Sequence, residues 1–300
     1  AATQWSYSVD GGSNWTHVTD TNITSFELAA DSTYAAGAIQ VVQRGADGTD
    51  SSPTVSTAAI TTDNTPLVAP SAIALQLDSG ASSSDGITND ATVNVTLGSD
   101  AQLSGWEYST DGGANWVTGV GASFELANNT TYAANKIQAR LLDKAGNEGA
   151  VAKISSQVVT DMVGNTPVVT NIGNSNTIDL DFLYALKTSG EDVLASGTAE
   201  VGASVKVSLS ADLHHTVTAT DGTWSVNASS FNPSVNTDND ITFGSGSSAL
   251  TLADNSTNTM SVEITDLAGN VSSVATRTYS VDTPGLKISE SNNVVTVSGT

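Results

Sequence analysis

The residues best equipped for chemistry are carboxylates set in loops. DxAGN occurs twice, as Asp143-Lys144-Ala145-Gly146-Asn147 and Asp266-Leu267-Ala268-Gly269-Asn270. An Asp stands at or shortly before a Thr-Pro linker three times, at Asp63, Asp161 and Asp282. A Ser/Asp-rich loop, DSGASSSDGITND at 78–90, adds Asp85 and Asn89. Loops of Asp, Asn, Gly and Thr supply carboxylate, amide and backbone oxygens, the donors that Ca²⁺ takes six to eight at a time in a flexible geometry. Mg²⁺ fits less well, because it holds a stricter octahedron and keeps its waters.

Other chemistries lack their residues. The 300 residues include no Cys, which excludes disulfides, thiolate zinc sites and thiol nucleophiles, and three His are too few for a His-based centre. His214 and His215 are neighbours, so a strand would point them to opposite faces. No nucleophile elbow accompanies the Ser, His and Asp present, and a glycosidase carboxylate pair cannot be told from background in so acidic a chain. The expectation is that the protein is not an enzyme. Nine Lys and Arg against 31 Asp and Glu give a net charge of −22, which disfavours nucleic acid and anionic lipid and favours cations. No apolar run reaches the ~18 residues of a membrane span, so direct membrane insertion is not expected.

Positioning these loops calls for strands. Runs of Val, Thr, Ser and Ala alternate with Gly/Asn-rich turns, the pattern of an all-β protein. The best helical candidate, 179–187, is short. WSYSVDGGSNW at 5–15 returns as WEYSTDGGANW at 106–116, an offset of 101, and SFELAADSTYAAGAIQ at 25–40 returns as SFELANNTTYAANKIQ at 123–138, an offset of 98. A period near 100 residues made of strands is the size of one immunoglobulin-like sandwich. The expected architecture is a linear array of tandem immunoglobulin-like β-sandwich domains. Its expected parts are an N-terminally truncated repeat at 1–63, a complete repeat at 64–165, and a divergent repeat at 166–283 with an insertion near 231–257. The start of a further repeat follows at 284–300. In the third repeat, 196–210 is aligned with the strand at 91–97, and Asp221-Gly222 with Asp111-Gly112.

In the second repeat the strands expected are 72–77, 91–97, 105–110, 115–119, 122–126, 135–142 and 150–160. Their loops segregate to two ends. Stacked end to end, the first junction should bring Asp10, Asp31 and Asp63 against Asp100, Asp143 and Asn147. The second should bring Asp85, Asp111 and Asp161 against Asp212, Asp266 and Asn270. Converging carboxylates without nearby Lys or Arg repel one another unless a cation neutralises them. Each motif also has a plainer reading. Asp10-Gly11-Gly12 and Asp111-Gly112-Gly113 suit a tight hairpin turn, the DxAGN loops suit a turn between strands, and 85–89 suits a solvated loop. Trp5 and Trp106 open a strand where a sandwich buries its core Trp, so they read as core before they read as sugar platforms.

Together, the 78–90 loop, the YSxDGGxxW hairpin, the DxAGN loop and the acid–Thr-Pro linkers resemble bacterial Ig-like repeats, the extender regions of giant RTX-type adhesins exported by type I secretion, including biofilm and ice-binding adhesins. The resemblance implies a string of β-sandwiches on the Gram-negative cell surface, stiffened by Ca²⁺ in the linkers and holding a distal adhesion domain whose ligand is not bound by this segment. It assigns metal roles to Asp143, Asn147, Asp266 and Asn270 in the loops, to Asp63, Asp161 and Asp282 in the linkers, and to Asp85 and Asn89. The first repeat departs from the pattern, with Gly45 where Asp143 would align, and no GGxGxD repeat is present. The partners expected are calcium ions and neighbouring repeats of the same chain. The alternative is a glycan- or peptide-binding module using the 231–257 loop, whose aromatics are Phe231 and Phe243.

Overall fold

The computed structural model describes residues 4–179, 181–182, 193–236, 240–283, 286–291 and 294–299, the last two segments by their backbone. The chain is all-β. It forms two compact units, one of residues 1–74, 94–124 and 135–155, the other of residues 75–93, 125–134 and 156–300.

In the first unit, Thr16–Val18, Gln4–Ser8, Gln40–Arg44 and Thr54–Val55 form an antiparallel sheet in that order. Val117–Thr118, Leu103–Ser109, Gln138–Asp143 and Glu148–Lys153 form a second sheet of the same order. The sequence repeat is thus a repeat of hydrogen-bonded topology. Its three-residue offset change is also structural. Trp5 donates its ring N–H to the carbonyl of Ile23, 18 positions on, and Trp106 donates to that of Gly121, 15 positions on. Alternation does the work of facing. Ala139, Leu141 and Asp143 turn inward on Gln138–Asp143, and Val93 and Val95 turn inward on Thr92–Thr96. Thr92–Thr96 lies between Ser123–Glu125 and Ala72–Leu75 in a three-stranded sheet.

In the second unit, one sheet runs Val168–Ile172, Val193–Thr198, Thr223–Asn227. Another runs Thr177–Asp179, Ala275–Asp282, Thr257–Thr265, Ser204–Ser208, His214–Thr218. Leu194 and Trp224 of the first sheet and Val205, Val207, Val262 and Ile264 of the second belong to one buried core, so the two sheets make a sandwich.

Several expected elements differ. Residues 196–210 are not one strand but parts of two, Val193–Thr198 and Ser204–Ser208, with a turn between them in which Gly202 takes φ +86°. Asp221-Gly222 lies between His214–Thr218 and Thr223–Asn227, which belong to different sheets, whereas Asp111-Gly112 closes the hairpin of Leu103–Ser109 and Val117–Thr118. The strand expected at 150–160 is two, Glu148–Lys153 and Val158–Thr160, which lie in different sheets. Thr130–Tyr132 and Ile87–Thr88 are short strands the sequence did not announce, and both pair with Val158–Thr160. The 231–257 insertion, which reads in sequence as a long loop or an added hairpin, is a three-stranded antiparallel sheet of Pro233–Val235, Ile241–Phe243 and Leu250–Leu252. Of the helical candidate, residues 181–182 are helical and 183–187 lie outside the described residues. Leu286–Ser291 and Val294–Gly299 pair as an antiparallel hairpin. No helix among the described residues is long and apolar enough to cross a membrane.

Candidate metal centre

Both DxAGN loops fold the same way. Asp143 accepts on Oδ1 from the backbone N–H groups of Ala145 and Asn147, both at 2.8 Å, and on Oδ2 from the Asn147 carboxamide at 2.8 Å. Asp266 accepts from the Asn270 N–H and carboxamide, each at 2.9 Å. Gly146 and Gly269 take φ +91° and +92°, which closes each loop in the left-handed region that glycine tolerates. Asp143 and Asp266 are buried, 2% and 4% exposed as residues. Burial pushes the Asp143 carboxyl up. The hydrogen bonds from Asn147, Ala145 and Gly146 outweigh it and hold it below the ordinary value.

The same asparagine reaches back to the linker. The Asn147 carboxamide donates to the carbonyl of Asp63 at 2.8 Å, and that of Asn270 to the carbonyl of Asp161 at 2.9 Å. Each carboxamide therefore bridges a buried Asp in a loop and an acidic residue 84 or 109 positions earlier. The side chains of both linker acids cap their own turns, Asp63 accepting from the Thr65 N–H and Asp161 from the Val163 N–H, each at 3.1 Å.

The third member differs. Asp161, Glu200 and Asp266 bring carboxylate oxygens within 4.8 Å of one another. Glu200 was not singled out in the sequence. It occupies the turn that Asp100 occupies in the second repeat: the Leu103 N–H donates to the Asp100 carbonyl at 3.2 Å, and the Ala203 N–H to the Glu200 carbonyl at 3.1 Å. The misaligned strand at 196–210 hid this equivalence. Asp100, Asp31 and Asp63 line one open cleft of about 450 Å³ with Thr33, Thr61 and Gln102. No Lys or Arg forms an ion pair with any of these acids among the described residues.

The remaining expected ligands lie elsewhere. Asp10 and Asp111 cap their own hairpins, each accepting from a Ser hydroxyl two residues before (Ser8, Ser109) and from an Asn four residues after (Asn14, Asn115). Both oxygens of Asp10 and of Asp111 are thus engaged within their own turns. Asp212 sits at the opposite end of Ser204–Ser208 from Glu200. Asp282 is exposed at the end of Ala275–Asp282, opposite Asp179. Asp85 is exposed and caps Ile87, and Asn89 donates its backbone N–H to Ser79 Oγ at 2.8 Å. The 78–90 loop itself does meet the second DxAGN loop: the Ser79 hydroxyl donates to the Ala268 carbonyl at 2.7 Å and the Ala81 N–H to that of Leu267 at 3.2 Å. A Cβ on Gly80 would lie 2.0 Å from the Leu267 oxygen, so this approach requires glycine. Asp78 Oδ1, in the same loop, is buried without a hydrogen-bond partner among the described residues.

Phe231 and Phe243 are 2% and 0% exposed and stack edge-on at 6.2 Å, so the insertion's aromatics serve its core rather than a surface. His214 is exposed, and His215 is half-buried with its ring edge-on to Phe231.

No family model and no curated protein matches the chain. A solved structure, gamma-CGTase from alkalophilic Bacillus clarkii, is similar at 10% identity with a TM-score of 0.20. The match covers 85% of this chain and 34% of that one, so the chain spans about a third of that enzyme's length. A likeness at that score carries no argument about fold or function.

Proposed function

We propose that the chain is a non-enzymatic structural spacer from a bacterial cell-surface adhesin of the type I-secreted class, built of tandem Ig-like repeats and stiffened by Ca²⁺ at the repeat junctions. The observation that supports this reading is the recurrence of one arrangement at two linkers. A buried DxAGN carboxylate, its asparagine and the backbone carbonyl of a linker acid are held together at each, and at the second a further acid, Glu200, brings its carboxylate within 4.8 Å of those of Asp161 and Asp266. At the second linker, Asp161, Glu200 and Asp266 would hold the ion, and the donor chemistry fits: oxygens alone, in an acidic loop setting, with the unpaired Asp78 oxygen in the adjoining 78–90 loop. At the first, Asp63, Asp100 and Asp143 are the equivalent set. The ion would cancel repulsion among the carboxylates and add stability by mass action. The repeat boundaries proposed are those of the sequence period, near 63/64, 165/166 and 283/284.

The test is a thermal melt with Ca²⁺ and with EDTA, paired with small-angle scattering of both samples. The expected result is a higher Tm and a longer maximum dimension with Ca²⁺. If neither quantity responds, the carboxylates are solvated turn residues and the metal-stiffened spacer is wrong.

A further inference from the structure

Two strand pairs in this largely antiparallel chain run parallel. In each, one member stands near the start of its repeat and the other is the last strand before an acidic linker. Ile87–Thr88 pairs with Val158–Thr160, just ahead of Asp161, and Thr177–Asp179 pairs with Ala275–Asp282.

Both pairs are shielded from water. Thr88 and Thr160 are 0% and 1% exposed, and so are Ile178 and Val281. In the first pair the Val159 N–H donates to the Gly86 carbonyl and the Asp161 N–H to the Thr88 carbonyl, both at 2.8 Å. Gly86 takes φ +77°, and a Cβ there would lie 2.4 Å from the Gln157 carbonyl oxygen, so this approach requires glycine. The second pair is longer and braced. Three residues pair instead of two, the Ser280 N–H donates to the Asn176 carbonyl at 3.1 Å, and the Thr177 and Ser280 hydroxyls bond at 3.2 Å. Arg277 donates from Nε to Asn176 Oδ1 at 2.7 Å and from Nη1 to the Val169 carbonyl at 2.6 Å, which ties Val168–Ile172 to the last strand as well.

Tension along the chain enters a repeat through its first strands and leaves through its last. When those strands are parallel partners, the two pulls act along them in opposite senses, and the evenly spaced bonds of the ladder are sheared together. Pulled apart from one end, the same bonds would open one after another. We infer that these two parallel pairs are the load-bearing elements of the chain: each joins the entering and leaving strands of its repeat directly and resists extension until its bonds fail together. The inference takes from the proposed function only that the chain is pulled lengthwise. Every bond named joins protein groups, so the resistance persists in EDTA.

The experiment stretches the full chain at constant load in EDTA, through handles on introduced cysteines, since the chain has none of its own. T65C/T166C pulls lengthwise across the second repeat. S84C/Q157C pulls at the leading ends of the two paired strands and opens them from one side. All four positions are exposed. The lifetime before rupture is expected to be at least about tenfold longer for T65C/T166C than for S84C/Q157C, because forced unfolding is governed by the unfolding rate. Ile87 and Val159 pair across 72 positions, so lengthwise failure should release about 250 Å of chain in one step. Equal lifetimes in the two directions overturn the inference, as does lengthwise release of that chain in many small steps. Ile178 and Val281 pair across 103 positions, so the third repeat is read from a longer step of about 360 Å when the chain is pulled from its two ends. Thr177→Val, which removes the hydroxyl bond, should shorten the lifetime of that step severalfold and leave the shorter step unchanged. A Thr177→Val chain with both lifetimes unchanged counts against a load-bearing pair in the third repeat. A melt that ignores Ca²⁺ beside a lifetime that depends on direction would sink the metal and uphold the load-bearing pairs, so the two readings fail separately.

Discussion

The Ser-Phe-Glu-Leu of residues 25–28 and that of 123–126 have the same local sequence and different fates. In both, the Phe ring stacks on a Tyr, Phe26 on Tyr7 at 3.9 Å and Phe124 on Tyr108 at 4.1 Å, and each reaches its Trp at about the same distance, 6.0 and 6.1 Å. In both, the next Tyr hydroxyl caps the chain, Tyr34 accepting from the Ala29 N–H and Tyr132 from that of Ala127. Local sequence therefore decides ring contacts and caps. Strand status and burial are decided by partners far along the chain: 123–125 has Thr92–Thr96 to pair with, and 25–27 pairs with no strand among the described residues.

The sharpest way to break this comparison is to cut the two Phe side chains. Phe124→Ala should cost roughly 3–5 kcal/mol, the range for a buried Phe. Phe26→Ala should cost about 1–2 kcal/mol, since the ring is half exposed. Denaturant titration measures both, and equal losses would mean that the first repeat is closed in solution. Next come the two bridging asparagines. Asn147→Ala and Asn270→Ala should each cost about 1–3 kcal/mol, because each leaves a buried carboxylate oxygen and a linker carbonyl without a donor. If calcium is held at the second linker, Asn270→Ala should also shrink the Tm difference between Ca²⁺ and EDTA.

The smallest effects sharpen the comparison by being the same in both repeats. Ser8→Ala and Ser109→Ala should each cost about 1 kcal/mol and differ by less than the error of the measurement, since their hydroxyls make the same bonds in each turn. Asp10 should titrate by NMR at about 2 instead of 3.8, held down first by the Asn14 backbone N–H, then by its carboxamide and by Ser8. A depressed carboxyl favours the folded turn above its unfolded value, and that contribution fades as the pH falls from about 4 through about 2. Asp111 should be displaced in the same direction by Asn115 and Ser109.

The parts legible in sequence were those repeated in sequence. The tandem Trp-Tyr-Asp-Gly-Gly hairpins and both DxAGN loops appear where the motif match put them, because short-range hydrogen bonds from Ser, Asn and backbone N–H fix them. Glu200 was illegible. The alternation of small and apolar residues runs through Thr198–Val205 with no break, so a turn there looks like mid-strand until Gly202 is seen with positive φ. Asp10 and Asp111, expected at the junctions from a conspicuous motif, cap their own hairpin turns with both oxygens, as Asp143 does in its loop. The Ser/Gly/Asn-rich insertion left a long loop and an added hairpin both open, and its Ile241, Phe243 and Leu252, which bury completely, go with the paired strands.

Asp31 and Asn129 occupy the same left-handed position, φ 49° and 51°, and each uses a side-chain oxygen to receive the first N–H of the departing linker, from Asn64 at 2.7 Å and from Met162 at 2.8 Å. The bond needs an oxygen and is indifferent to charge. Shape and charge at this corner are therefore separate settings. Exchanging Asp for Asn changes how strongly a linker attracts or repels ions while the direction in which the chain leaves the repeat stays the same.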